Sequence, residues 1–249
     1  MTKIIIIASG KGGTGKTSLA AGLGAALAKR EHKVLVIDGD SGLRNLDIVF
    51  GMSDRVVFSF ADVALGMIPL MEAAAHHPSM EQLFLLTAPA EPLTAGALTE
   101  DGMRLLTAQA QDAGFDYVLI DGPAGLAEEF HAFAAVATEA IIVTCGGEGS
   151  LRGAERMARV LEDQGVPSVR LVVNRIRRRL IRRGAIGTVD DAMDATGLCL
   201  LGIVPEDEDV SVCAGKGTPL MSERARSAAN AYRNIARRMD GEETPLMRL

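Results

Sequence analysis

Residues 9–17 read Ser-Gly-Lys-Gly-Gly-Thr-Gly-Lys-Thr. Gly10, four residues, then Gly15, Lys16 and Thr17 fit the spacing G-x-x-x-x-G-K-[ST]. A phosphate chain gathers several negative charges at one point. Consecutive backbone N–H groups surround it only where no Cβ intrudes, hence Gly10, Gly12, Gly13 and Gly15. Thr14 and Ser18 complete the cradle. Lys16 would reach the β- and γ-phosphates of a nucleotide, and the Thr17 hydroxyl would ligate Mg²⁺. The competing reading is a glycine-rich turn with a chance lysine. The surroundings disfavour it: the apolar run Ile4–Ile7 enters the loop, and an Ala/Leu-rich stretch leaves it, as a strand and a helix should.

Three carboxylates follow at strand ends. Lys33–Asp38 (KVLVID) is a continuous apolar run that ends in Asp38-Gly39-Asp40, and Asp116–Asp121 (DYVLID) ends in Asp121. Ligands of open α/β sheets lie beyond the carboxyl ends of the strands. Asp40 would orient or deprotonate an attacking water. Asp38 would act through a Mg²⁺-bound water or by pairing with a lysine, and Asp121 would hold Mg²⁺ through water. A plain turn also suits Asp-Gly-Asp-Ser-Gly, and a solvated strand cap also suits Asp121. The strand ends and the loop together favour the site.

The elements that must position these residues alternate. Residues 17–30 read as a helix, with Lys29 and Arg30 in its last turn. Residues 62–76 suggest a short helix closed by Pro78, and residues 99–113 a helix. Gln82–Thr87, Glu139–Cys145, Val169–Asn174 and Cys199–Val204 read as strands, with helices over about Leu151–Gln164 and over 222–239. This alternation predicts an α/β fold, a mostly parallel twisted sheet with helices on both faces. The 249 residues are read as one α/β domain over 1–240 and a short tail over 241–249.

Composition narrows the class. Hydrophobic residues are 48% and charged residues 23%, ordinary for a globular chain. A net charge of −6 disfavours a nucleic-acid-binding polyelectrolyte, and 4% aromatics leave little for base stacking. Cys145, Cys199 and Cys213 form no C-x-x-C and are expected to be reduced and mostly buried, as in a cytoplasmic protein. No apolar run approaches the ~18 residues of a membrane span, and the chain enters its first strand without room for a signal peptide.

The form K-G-G-x-G-K-T, with Lys11 inside the loop, resembles the deviant Walker A loop of the MinD/ParA family of P-loop ATPases. So do Asp40-Ser41-Gly42-Leu43-Arg44-Asn45-Leu46-Asp47, the Asp121-Gly122-Pro123-Ala124-Gly125 turn, V-V-N-R ending in Arg175, and G-x-V-P-E-D over 202–207. The resemblance runs from residue 3 to about 240, and residues 40–51 lean toward its MinD branch. It implies an ATP- and Mg²⁺-dependent homodimer that controls the position of cell division or of another cellular structure. In the family the early lysine crosses to the partner's nucleotide, so Lys11 takes that part here, with Lys16 and Asp40, in catalysis. Asn174 would read adenine through its amide, which offers both donor and acceptor, or be a turn asparagine. Pro205 and Asp207 would flank the base. The 40–51 segment would be a nucleotide-sensitive switch. Read from the residues alone, Leu43, Leu46, Ile48 and Val49 face the core while Arg44, Asn45 and Asp47 are solvated.

A MinC- or MinE-like protein regulator is implied. Gly153 and Glu155 stand where the family carries acidic partner-binding residues. Six arginines, Arg175, Arg177, Arg178, Arg179, Arg182 and Arg183, read as a solvated face or as a surface for anionic lipid or nucleic-acid phosphate. Gly241–Leu249 (GEETPLMRL) contains Pro245 and two glutamates, so the family's basic amphipathic membrane helix is not expected. The location implied is cytoplasmic, or peripheral at the inner face of the cell membrane. Two alternatives share the loop. One is a ParA-like DNA-partition ATPase. The other is a metal-centre carrier, which would need cysteine pairs that this chain lacks.

Overall fold

Four consecutive isoleucines cannot share one face of a strand, because successive side chains alternate. In β1 (Lys3–Ala8), Ile4, Ile6 and Ala8 enter one apolar cluster, and Ile5 and Ile7 enter another. A strand buried on both sides needs a covering layer on each. The computed structural model describes residues 1–41, 44–123, 125–220 and 224–247 and supplies both layers.

In chain order the elements are β1, α1 (Lys16–Ala28), β2 (Val34–Asp38), α2 (Leu46–Val49), α3 (Phe60–Ala64), α4 (Leu70–Ala73), β3 (Ala75–His76) and β4 (Leu83–Leu86). Then come α5 (Glu100–Asp112), β5 (Tyr117–Asp121), α6 (Glu128–Val136), β6 (Glu139–Thr144), α7 (Glu148–Asp163) and β7 (Val169–Ile176). The last are α8 (Arg178–Arg182), α9 (Val189–Thr196), β8 (Cys199–Pro205), α10 (Glu208–Gly215) and α11 (Ala228–Met239). Among the described residues the eight strands run β3-β4-β2-β5-β1-β6-β7-β8. Every neighbouring pair is parallel except β3 with β4. The fold is thus the expected mostly parallel sheet with helices on both faces. Residues of α1 and α11 cover the Ile5/Ile7 face, and residues of α3, α5, α6 and α7 cover the other.

Several local expectations change. The 62–76 helix is two short helices and a strand. Ser59 caps α3 with a capping box, Gly66 at φ 70° ends it, and α4 begins after Pro69. Helix α1 stops at Ala28, so Lys29 is its C-cap, and Arg30 pairs instead with Asp240 and Glu242. Asp47 is buried rather than solvated, and Ile48 is 54% exposed rather than core-facing. The cysteines are all free, but Cys199 is exposed and the other two are half-buried. The last helix starts at Ala228 behind a Ser227 cap. Gly42, Leu43, Ala124, residues 221–223 and residues 248–249 lie outside the described residues.

The end of the sheet opposite the loop is a polar clasp. Tyr117 donates to Asp240 at 2.6 Å, and Asp240 also meets Arg30 and His32. Arg238 donates to the carbonyls of Thr244 and Pro245, so residues 244–245 lie back on the body without forming a helix. Among the described residues no helix is long and apolar enough to cross a membrane.

Candidate functional site

The loop between β1 and α1 lies at the carboxyl edge of the central strand. Gly13 (φ 78°) and Gly15 (φ 90°) sit in the left-handed region, which glycine enters at little steric cost. Gly15 is the N-cap of α1, so the helix begins at Lys16 with its free N–H groups and positive dipole end at the loop. Buried Ser9 donates to the Lys11 carbonyl at 2.8 Å and sets the loop's entry. Lys16 is buried, whereas Lys11 is exposed on the outer wall.

Asp38 and Asp121 are register partners on β2 and β5, and both are buried at adjacent strand tips. Burial pushes the Asp121 carboxyl up to about 7, against a lowering hydrogen bond from the Thr17 hydroxyl; the charge of Asp38 raises it further. Among the described residues its Oδ1 has no hydrogen-bond partner. A buried carboxylate with one orphaned oxygen beside a threonine hydroxyl is a donor set suited to Mg²⁺. The residues therefore fit the metal. Asp38 differs: Oδ1 accepts from the Asp40 N–H, and Oδ2 accepts from the N–H groups of Asn45 (2.9 Å) and Leu46 (3.0 Å). It anchors the turn that carries Asp40. Burial raises the Asp40 carboxyl while the Lys16 charge lowers it, so this acid lies within the field of the loop lysine.

On the other flank, β7 runs two residues past its expected end at Asn174, and Asn174 donates to the Thr14 carbonyl at 2.8 Å and accepts from the Arg175 N–H. Among the described residues one N–H of its amide remains without a partner. Gly15, Ser18, Asn174, Arg175, Pro205, Glu206 and Asp207 line a cleft here. Pro205 ends β8 at its wall. Asp207 is already engaged as the α10 N-cap and as acceptor for the Ala228 N–H at 2.9 Å. Asn174→Ala removes one partner from the buried Thr14 carbonyl and one from the part-buried Arg175 N–H. It is expected to destabilise the nucleotide-free chain by about 1–3 kcal/mol. Urea denaturation with an unchanged midpoint would contradict that pinning role.

Three neighbours of the loop escaped the sequence reading. Helix α7 begins at Glu148, three residues earlier than its periodicity suggested, and its backbone presses on the loop. A Cβ on Gly10 would lie 2.0 Å from the Gly153 carbonyl oxygen. The signal was present as Gly149 and Gly153, four apart on one helix face. Gly10→Ala is expected to lower stability by about 2–3 kcal/mol through overpacking. A thermal melt superimposing on the parent would show that α7 yields freely. Cys145 follows β6, its thiol 3.8 Å from the Thr14 carbonyl. Arg175 has φ 56° at an irregular β7–β8 register, binds Glu206 through two nitrogens at 2.9 and 3.0 Å, and donates to the Gly13 carbonyl at 3.0 Å.

The family model described as the CobQ/CobB/MinD/ParA nucleotide binding domain matches residues 5–220. The septum site-determining protein MinD of Synechocystis sp. is 38% identical over 248 residues, covering 99% of this chain and 92% of the relative. The MinC:MinD cell division protein complex of Aquifex aeolicus superposes with a TM-score of 0.90 at 34% identity, covering 99% of each chain. A MinD complexed with Mg-ADP from Pyrococcus horikoshii superposes with a TM-score of 0.84 at 29% identity, covering 96% of each chain.

Proposed function

The chain belongs to the CobQ/CobB/MinD/ParA nucleotide-binding family and is MinD-like, and from that premise we propose that ATP at Gly10–Thr17 joins two copies and that hydrolysis parts them. The carrying observation is the division of labour between two lysines. Lys16 lies buried under its own loop, and Lys11 stands exposed outside it. The first serves the phosphates of its own subunit, and the second serves those of a facing one.

The N–H groups of Gly10, Gly12, Gly13, Thr14, Gly15, Thr17 and Ser18 hold the phosphates. Thr17 and Asp121 would hold Mg²⁺, which would supply charge neutralisation for the phosphates. Asp38 serves the metal indirectly by fixing the turn of Asp40. Asp40 takes a proton from, or orients, the attacking water. The remaining N–H of Asn174 and the Pro205–Asp207 wall receive adenine. Residues 1–240 act as one ATPase domain, with 241–249 as a tail. The switch places a division site from a cytoplasmic or inner-membrane-face location.

A MinC-like regulator docks on the outer side of α7. The MinC:MinD complex from Aquifex aeolicus supports a partner of that kind, and the contact of Gly153 with Gly10 gives such a partner a short path to the phosphates. Light scattering tests the switch directly: ATP with Mg²⁺ should double the mass, and ADP should not. A chain that stays monomeric in ATP while hydrolysing it would remove the dimer reading. Retention on duplex DNA that falls steeply with salt would favour the partition alternative instead.

A further inference from the structure

Just beyond the base-side cleft lies a second concavity of about 480 Å³, lined by Ile176, Arg177, Arg178, Arg179, Leu180, Arg183 and Glu206. Each of the four arginines is exposed. Among the described residues Arg178, Arg179, Arg182 and Arg183 make no ion pair, and Arg177 only reaches Glu206 at 3.5 Å. Four guanidiniums around one hollow repel one another. In a chain of net charge −6 that local positive field is not a by-product of composition.

We propose that this hollow is a second anion site, separate from the phosphate loop, that takes a compact oligophosphate. Guanidinium forks bind phosphate through paired N–H groups. The volume suits a small ligand rather than an extended polymer. Among the described residues no aromatic side chain lines it, so it offers no ring platform for successive bases. The floor of Ile176 and Leu180 gives the arginine stems an apolar seat.

The site also communicates with the loop, and this half rests on ATP binding there. Glu206 lines both hollows and is shared by Arg175 and Arg177. Arg175, held at φ 56°, carries the contact onward to the Gly13 carbonyl. A phosphate that draws Arg177 off Glu206 leaves that carboxylate to Arg175 alone. Nucleotide affinity then depends on the second anion, and the dependence is reciprocal.

The test is calorimetric titration of inorganic tripolyphosphate into the full chain in metal-free buffer with saturating ADP. The expected result is one site per chain, weakened by salt. It should be weakened at least tenfold in the Arg178→Gln/Arg179→Gln/Arg183→Gln chain, with an unchanged melting profile. ADP affinity should shift at least twofold with tripolyphosphate in the parent and not in Arg177→Gln. Absence of binding, or binding indifferent to the triple substitution, overturns the site. An unmoved ADP affinity overturns the link. If ADP does not bind even when Mg²⁺ is added, the nucleotide reading fails, and the triple variant still decides the arginine site on its own. Two vesicle arms separate the sources. Capture by vesicles carrying a multiply phosphorylated inositol headgroup, alongside tripolyphosphate binding, assigns the site to a lipid headgroup. Capture by phosphatidylglycerol vesicles or duplex DNA without tripolyphosphate binding overturns the compact site in favour of a diffuse basic face.

Discussion

Lys11→Ala is expected to bind ATP and ADP like the parent, to remain monomeric in ATP, and to hydrolyse about a thousandfold more slowly, the low end of what a cation supplied in trans contributes to phosphoryl transfer. The reason is positional. Lys11 is exposed, its backbone carbonyl is held by Ser9, and among the described residues its ammonium has no ion-pair partner. Its removal therefore disturbs nothing in the nucleotide-free subunit, and stability should move by less than about 0.5 kcal/mol. Lys16→Ala should behave oppositely, losing nucleotide binding first. Fluorescent-nucleotide titration, light scattering and single-turnover hydrolysis separate the two. A Lys11→Ala chain that dimerises in ATP and turns over normally would end the cross-subunit role.

Asp121→Asn should make the nucleotide-free chain more stable at pH 8 and abolish hydrolysis. In the fold this carboxyl titrates near 7, against 3.8 for the unperturbed group, mainly because burial penalises the charge. Below about pH 4 both folded and unfolded states keep the proton, and nothing is lost. Between about 4 and 7 the unfolded state releases it and the folded state does not. Stability from this group therefore falls as pH rises through that window, and it stays low above it. Removing the charge should restore on the order of 2–4 kcal/mol at pH 8 and almost nothing at pH 4. Urea midpoints of the parent and variant at the two pH values check it. Equal midpoints at pH 8 would mean that the folded carboxylate is already well solvated or paired. The accompanying loss of turnover follows because a neutral amide gives Mg²⁺ no anionic oxygen. The site thus holds a stability deficit that its ligand relieves, a common cost of a functional centre.

Legibility varied along the chain for physical reasons. The loop and the strand tips were readable because phosphate binding uses consecutive N–H groups, a local property that glycine spacing displays. Parallel strands buried on both faces appear as unbroken apolar runs, so β1, β2 and β5 stood out. The 60–76 region misled because its apolar residues continue at helical spacing past Gly66 and Pro69, which stop the helix. Asp47 read as solvated because α10, which packs against its helix α2, comes from far along the chain.

The amino-acid sequence by itself determined the chemistry on offer: a phosphate cradle, two lysines in one loop, and carboxylates at the ends of apolar strands. Only the tertiary structure decided what braces that cradle. Gly153 against Gly10, Asn174 on the Thr14 carbonyl 160 residues away, and Arg175 between Glu206 and Gly13 all depend on strand order. Strand order is a property of how sheet edges meet in space. It leaves no periodic mark within any one strand, so no local pattern could have shown which distant residue would reach the loop.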